Sequence, residues 1–124
     1  MHETVMAQQI VRAVLATMEQ RGAAAVRSID VELGALEGIR EEDLRRAFRL
    51  ESTGTPLEHA VLHVSVAPAT AFCPACNAPK TFELRLGQSH EIRQAACPDC
   101  GVDLELQGGR GLLVRRAAMV LEDP

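Results

Sequence analysis

The sequence predicts an α+β fold in which two helices pack on a small sheet of about three strands, with a second module inserted before the last strand. Three observations support this prediction: a helical apolar period near the N-terminus, strand-like alternation in two later segments, and the confinement of all four cysteines to residues 73–100. A chain of 124 residues has the size of one domain, or of one domain with a small insert. We therefore expect residues 1–70 and 108–124 to form one domain and residues 71–107 to form the insert.

The first helix is predicted between Glu3 and about Gln20, because apolar residues recur there at helical spacing. Gly22 follows and is suited to ending a helix. The helix thus begins almost at the first residue of the sequence. Its apolar stripe consists of Val5, Met6, Ile10, Val11, Val14, Leu15 and Met18.

Two half-buried strands and a second helix are predicted next. The segments Ser28–Leu33 and Leu62–Val66 alternate between apolar and polar residues, which is typical of strands with one buried face, and Pro68 closes the second strand. Between them, a helix is predicted from Glu41 to about Leu50, because acidic residues at its start suit the positive end of a helix dipole. Its apolar face consists of Leu44, Ala47 and Phe48.

The C-terminal part is predicted to rejoin the first sheet. The glycine-rich stretch Gly108–Gly111 predicts a flexible joint. Beyond it, Leu112–Leu121 is apolar-rich and is interrupted by Arg115 and Arg116. As a lone strand it would expose an unpaired edge, so we expect it to return to the sheet that the first two strands form.

The four cysteines form two C-x-x-C pairs, Cys73–Cys76 and Cys97–Cys100, with twenty residues between the pairs. This spacing supplies the four thiolates that one tetrahedral zinc ion requires. Four thiolates leave no open position on the ion, so the predicted role of the zinc is structural. Short alternating segments between and after the pairs predict the antiparallel strands of a zinc ribbon; they contain Phe82, Leu84, Leu86, Val102, Leu104 and Leu106.

Two other uses of paired cysteines compete with zinc binding. Two disulfides would suit a secreted protein, and a thioredoxin-type redox motif would be expected once, after a buried strand. Two symmetric copies, together with an N-terminus that lacks the features of a signal peptide, favour metal. A cytoplasmic location follows by default.

Composition and charge disfavour several classes of function. The formal net charge is −4, there is no Trp or Tyr, and no dense basic run is present, which argues against nucleic-acid binding. The longest apolar run is too short to span a bilayer. No nucleophile–base arrangement or phosphate-binding loop is recognisable, so an enzyme is not expected. A zinc-ribbon module that binds proteins or nucleic acid stays open as an alternative.

The N-terminus is a second candidate metal site. Because His2 directly follows Met1, the α-amine, the intervening amide nitrogens and the imidazole can all reach one metal ion. Ni(II) and Cu(II) prefer nitrogen donors in a plane. A solvated terminus is the plain alternative, and Glu3 is then a favourable charge at a helix start.

Taken in order, these motifs resemble the HypA/HybF family of nickel metallochaperones in hydrogenase maturation. The resemblance is carried by Met1-His2-Glu3 opening the first helix, by the stretches Val31–Leu36 and Gly54–Leu62, by Phe48 in the second helix, and by the paired cysteines. It covers essentially the whole chain. The twenty residues between the pairs are more than the dozen or so that are common in the family.

The resemblance implies two metals and several partners. Zinc would be held by Cys73, Cys76, Cys97 and Cys100, and nickel by the His2 imidazole with backbone nitrogens of Met1, His2 and Glu3. The acidic residues 41–43 could add an oxygen ligand, although a helix-start charge run explains them equally well. The family delivers nickel to the precursor of the NiFe hydrogenase large subunit and works with the GTPase HypB, and some members serve urease. Both a monomer and a homodimer are consistent with the sequence.

Overall fold

The computed structural model describes residues 2–81 and 96–121, with only the backbone of His2. Two helices are present in this part of the chain, α1 (His2–Arg21) and α2 (Glu41–Ser52), and a 3-10 turn lies at Ala35–Glu37. Six strands accompany them: β1 (Ala23–Gly34), β2 (Val61–Ala67), β3 (Ala69–Cys73), β4 (Ala78–Lys80), β5 (Glu105–Gly108) and β6 (Leu112–Leu121). Both predicted helices and the first two predicted strands are therefore confirmed.

The strands form two sheets of three strands each. The first sheet has the order β2-β1-β6, with β1 parallel to β2 and antiparallel to β6. The second sheet has the order β4-β3-β5, and both of its pairings are antiparallel. The return of the last segment to the first sheet is confirmed, as is the α+β class. The first strand of the second sheet begins at Ala69 and its last strand ends at Gly108, close to the bounds of the predicted insert at 71–107, whereas the division into domains stays a prediction.

The main hydrophobic core lies between the two helices and the first sheet. Ile10 and Val14 of α1 are buried against inward-facing residues of β1 such as Ile29 and Val31. Phe48 of α2, one of only three phenylalanines in the chain, is 2% exposed and fills the centre of this core. Burial of such a side chain contributes about 1.5–3 kcal/mol. The apolar residues that alternate along β1 are buried in the same core, and this burial fixes which face of the strand points inward.

Strand β6 contains a bulge that the sequence pattern does not predict. Asp30 pairs with Arg116 and Val31 pairs with Val114, so Arg115 is an extra residue without a partner in the ladder. Both consecutive arginines therefore reach carboxylates of β1. Arg115 Nε lies 2.9 Å from Glu32 Oε2, and Arg116 Nη2 lies 3.2 Å from Asp30 Oδ2.

The prediction of a flexible joint at Gly108–Gly111 is wrong, because hydrogen bonds fix this segment to the end of β1 and to the 3-10 turn. Gly34 N–H donates to Gly111 O at 2.8 Å, and Leu36 N–H donates to Gly109 O at 2.7 Å. Gly111 N–H donates to the buried carboxylate of Glu37 at 2.8 Å. Glycine is required because the two backbone segments approach each other closely: a Cβ atom on Gly34 would lie 2.3 Å from Gly109 O.

Two strand boundaries differ from those predicted. Strand β1 has 12 residues and begins at Ala23, because its alanine-rich start pairs with the end of β6 although it lacks alternation. Strand β5 begins at Glu105 and not at Val102, since Val102 O accepts a hydrogen bond from Cys97 N–H in the second cysteine turn. The alternation predicted around Phe82, Leu84 and Leu86 lies outside the described residues.

Candidate metal sites

Each cysteine pair lies on a tight turn beside the second sheet. Strand β3 ends at Cys73 and β4 begins at Ala78, so the first pair occupies the turn between them. The residue after each pair has a positive φ, 53° at Asn77 and 77° at Gly101. Asparagine and glycine tolerate this left-handed conformation best, which explains their place in the sequence. Cys76 N–H donates to Cys73 Sγ at 3.3 Å, so the turn aims a backbone dipole at a sulfur.

The four sulfur atoms converge on one point. All of them lie within 4.8 Å of one another, and Cys73 Sγ and Cys100 Sγ are 3.5 Å apart. A tetrahedral ion with metal–sulfur bonds of about 2.3 Å needs sulfur atoms about 3.8 Å apart. All four thiols are free, whereas a disulfide requires a sulfur–sulfur bond of about 2.05 Å. The geometry and the soft donor set fit a four-thiolate zinc site.

Hydrogen bonds among the thiols already separate their acidities. Burial raises the pKa of Cys97, but backbone N–H groups of Asp99 and Cys100 outweigh it and lower that pKa to about 7. Hydrogen bonds to the sulfurs of Cys100 and Cys73 raise the pKa of Cys76 to about 12. Without a cation the four sulfurs thus share protons, and a bound divalent ion must displace these protons to obtain thiolate ligands.

Lys80, the only lysine of the chain, ties the two cysteine turns together. Its ammonium group, at the end of β4, forms an ion pair with Asp99 in the second turn, and this pairing raises the pKa of Lys80. The positive charge also lies near Cys76 and Cys97. It therefore partly offsets the charge of −2 that a zinc ion with four thiolates carries. Sequence reasoning missed this residue, because the lysine and its partner come from different turns.

The N-terminal site is described only in part. The backbone of His2 opens α1, but Met1 and the His2 side chain lie outside the description, so the predicted nickel ligands stay a prediction. Glu3 is half-buried and, together with Asp43 and Glu51 of α2, lines a cleft of about 190 Å³ between the two helices. The start of α1 and the acidic start of α2 are therefore neighbours, which the sequence alone does not reveal.

Two of the acidic residues at the start of α2 already have partners. Glu41 pairs with Arg45 at 3.3 Å, and Asp43 lies 3.9 Å from Arg46. These pairs within one helix support the interpretation of residues 41–43 as a helix-start charge run.

The remaining histidines in the described part of the chain do not gather metal ligands. His59 and His63 are exposed, and His63 lies opposite Asp30 in the sheet register. Within residues 2–81 and 96–121, the four cysteines are the only group of three or more metal-binding side chains close enough to share an ion. His90 lies outside the described residues. No helix in the described ranges combines the length and apolar character needed to cross a membrane.

Comparison with known protein families establishes the family to which this chain belongs. Residues 1–119 match the family described as "Hydrogenase/urease nickel incorporation, metallochaperone, hypA". The chain belongs to the HypA family. The resemblance drawn from the sequence is therefore confirmed over nearly the whole chain.

Relatives and solved structures agree with this assignment. Hydrogenase maturation factor HypA of Chloroflexus aggregans is 34% identical over 101 residues, 82% of each chain. HypA of Geotalea daltonii is 32% identical and is matched over 97% of this chain and 100% of its own length. The solution structure of the Ni metallochaperone HypA from Helicobacter pylori superposes with a TM-score of 0.63 at 15% identity, covering 97% of this chain and 98% of that one. At this identity the HypA structure supports the fold alone.

Proposed function

We propose that this HypA chain binds Ni(II) at its N-terminus and delivers it for the maturation of NiFe hydrogenase, while zinc in the four-cysteine site has a structural role. The observation that carries the proposal is the match of residues 1–119 to a nickel-incorporation family, joined to a cysteine group that fits zinc. The proposed nickel ligands are the His2 imidazole and the backbone nitrogens of Met1, His2 and Glu3.

A terminal site suits a protein that must release its cargo. Backbone amide nitrogens and an imidazole give Ni(II) the planar nitrogen environment that it prefers. Such a site is taken apart when a short segment moves or when the imidazole takes up a proton. Glu3, the third residue of this segment, is half-buried and lines the inter-helix cleft together with residues of α2.

Zinc is proposed as a permanent part of the fold. Among the residues that the structure describes, the second sheet has a small core, in which Cys73 and Cys97 are buried beside Ala71 and Leu104. A core of this size does not hold three short strands, whereas zinc binding contributes on the order of 10 kcal/mol in small domains. Four thiolates leave no place for water or substrate on the ion, so this site has no expected catalytic role.

The proposed partners are other components of hydrogenase maturation, namely the GTPase HypB and the large-subunit precursor. They are inferred from the family role, which also includes urease. We expect the chain to act in the cytoplasm and to have no catalytic activity of its own.

A nickel titration of untagged protein tests the proposal. The His2→Ala variant, and a variant with extra residues before Met1, should both lose nickel binding and keep their zinc, because each removes one donor from the terminal site. His63→Ala is the matched control, since this exposed histidine of β2 should not affect binding. Nickel binding that survives both N-terminal changes would contradict the ligand assignment. A salt-dependent affinity for nucleic acid would instead support the alternative of a zinc-ribbon interaction module.

A further inference from the structure

A groove with a volume of about 580 Å³ runs between α1 and β6, apart from both metal sites. Its floor is apolar and includes Val14, Val114 and Met119. Its rim is formed by three arginines, Arg21 at the end of α1 and the Arg115–Arg116 pair of β6. The metal sites make no use of these residues, so the groove needs a separate explanation.

The groove lies along a free sheet edge. Strand β6 is the outer strand in the order β2-β1-β6, and no described strand pairs with its other side. It is 10 residues long, and its backbone offers a row of N–H and C=O groups. An extended segment that pairs with this edge would alternate its side chains, with every second one directed at the groove.

The charge of the groove is opposite to that of the whole chain. The formal net charge is −4, yet the groove lining contains three arginines and no carboxylate. Arg115 and Arg116 contact Glu32 and Asp30, but their side chains are still 61% and 80% exposed. Arg21 makes no ion pair with the described residues. The three guanidinium groups and these two carboxylates sum to +1, so this edge of an acidic chain is locally positive, and the guanidinium groups of Arg115 and Arg116 are exposed to a partner.

The bulge in β6 makes this arrangement possible. In a regular strand Arg115 and Arg116 would point to opposite faces of the sheet. The extra residue turns both towards the carboxylates of β1, so that their charges are concentrated at one point of the edge.

We propose that an extended acidic segment of a partner protein adds as a further strand to the outer edge of β6. Its apolar side chains would occupy the groove floor, and its carboxylates would pair with Arg21, Arg115 and Arg116. A second copy of this chain is a poorer occupant. Antiparallel pairing of two β6 strands brings Arg115 and Arg116 close to their own equivalents, and like charges across a strand pair are unfavourable.

The test uses the zinc-loaded full chain and a synthetic peptide as long as β6 in which valine alternates with glutamate. Backbone amides of β6 should gain protection from hydrogen exchange on binding, while those of β2, the other edge strand, should not. Two control peptides separate charge from pairing: one carries lysine in place of glutamate, and one has the same composition with its glutamates grouped at one end. Neither should protect β6.

Two matched pairs of variants on α1 locate the site. Arg21→Glu should weaken peptide binding by at least about fivefold at low ionic strength, whereas Arg12→Glu, an exposed position outside the groove, should change it much less. Ala13→Phe should block the groove wall, whereas Ala16→Phe, equally exposed but outside the lining, should not.

Several results would overturn the proposal. Equal binding of the grouped peptide would show simple charge attraction without strand addition. A concentration-dependent rise in molecular mass that Ala13→Phe abolishes would assign the edge to a second copy. Absence of peptide binding to the folded protein would mean that the arginines and the bulge only keep the edge from pairing.

Discussion

Replacement of Gly34 by alanine should destabilise the protein by about 3 kcal/mol, although the backbone at this position suits any residue. With φ −66° and ψ 132°, alanine meets no backbone strain, and the loss of glycine's freedom in the unfolded chain alone would stabilise by about 0.4–1 kcal/mol. The cost arises from contact. The new Cβ would lie 2.3 Å from Gly109 O and 2.5 Å from Arg110 N, and backbone atoms cannot rotate away.

The size of this loss in stability follows from the displacement of the Gly108–Gly111 segment by the added methyl group. Overpacking in a buried site costs about 1–3 kcal/mol, and each hydrogen bond lost there about 0.5–1.5 kcal/mol. Displacement of the Gly108–Gly111 segment disturbs three such bonds, those to Gly34, Leu36 and Glu37. A net loss of about 3 kcal/mol corresponds to a fall in Tm of about 10 °C for a chain of this size.

Thermal unfolding followed by far-ultraviolet circular dichroism, with zinc content measured in parallel, checks this prediction. The matched control is Gly54→Ala, because Gly54 has a φ of +78° but no neighbouring atom within 4 Å of an added Cβ. That variant should lose only about 1 kcal/mol, from left-handed strain. If Gly34→Ala proves as stable as the wild type, or costs no more than Gly54→Ala, the close approach of the two segments is wrong.

Two further predictions concern the zinc site. Removal of zinc by a chelator should abolish amide protection from hydrogen exchange in the second sheet, measured at Ala69–Cys73. Helix α1 should stay protected if the main core folds without the metal. Lys80→Gln should speed zinc transfer to a chromogenic chelator severalfold without unfolding the chain, because it removes the positive charge that offsets the thiolates. Asp99→Asn removes a negative charge and leaves Lys80 in place, so it should not speed the transfer. An unchanged transfer rate in Lys80→Gln would refute the role of the Lys80 charge.

Local periodicity explains which parts of the fold were predictable. The stripe from Val5 to Met18 and the alternation of Ile29, Val31 and Leu33 record which face of each element is buried, and this information is contained in neighbouring residues. The cysteine site was predictable for a similar reason, since two fixed C-x-x-C spacings specify a tetrahedral ligand set.

The features that sequence reasoning missed depend on residues that are distant in the chain. The bulge at Arg115 is defined only by the register with β1, and the ion pair of Lys80 joins two turns. The composition of Gly108–Gly111 suggested flexibility, because glycine is common both in linkers and where two backbones touch. Only the contact with Gly34 distinguishes these two uses.

The contact between Gly34 and the Gly108–Gly111 segment also relates the four-cysteine site to the proposed nickel site. Strand β5 leads from the zinc turns directly into Gly108–Gly111, which is hydrogen-bonded to the 3-10 turn at Ala35–Glu37, and α2 begins at Glu41. Asp43 and Glu51 of α2 line the cleft with Glu3, next to the proposed nickel ligands.

A change in the zinc module can therefore reach the start of α2 through these hydrogen bonds and the chain connection, and α2 shares the cleft with Glu3. We expect Gly34→Ala to weaken nickel binding severalfold while zinc and the terminal ligands are retained, and Gly54→Ala to leave it unchanged. Equal nickel affinity in Gly34→Ala and wild type, measured below the melting temperature of both, would show that the terminus binds its cargo independently of the joint.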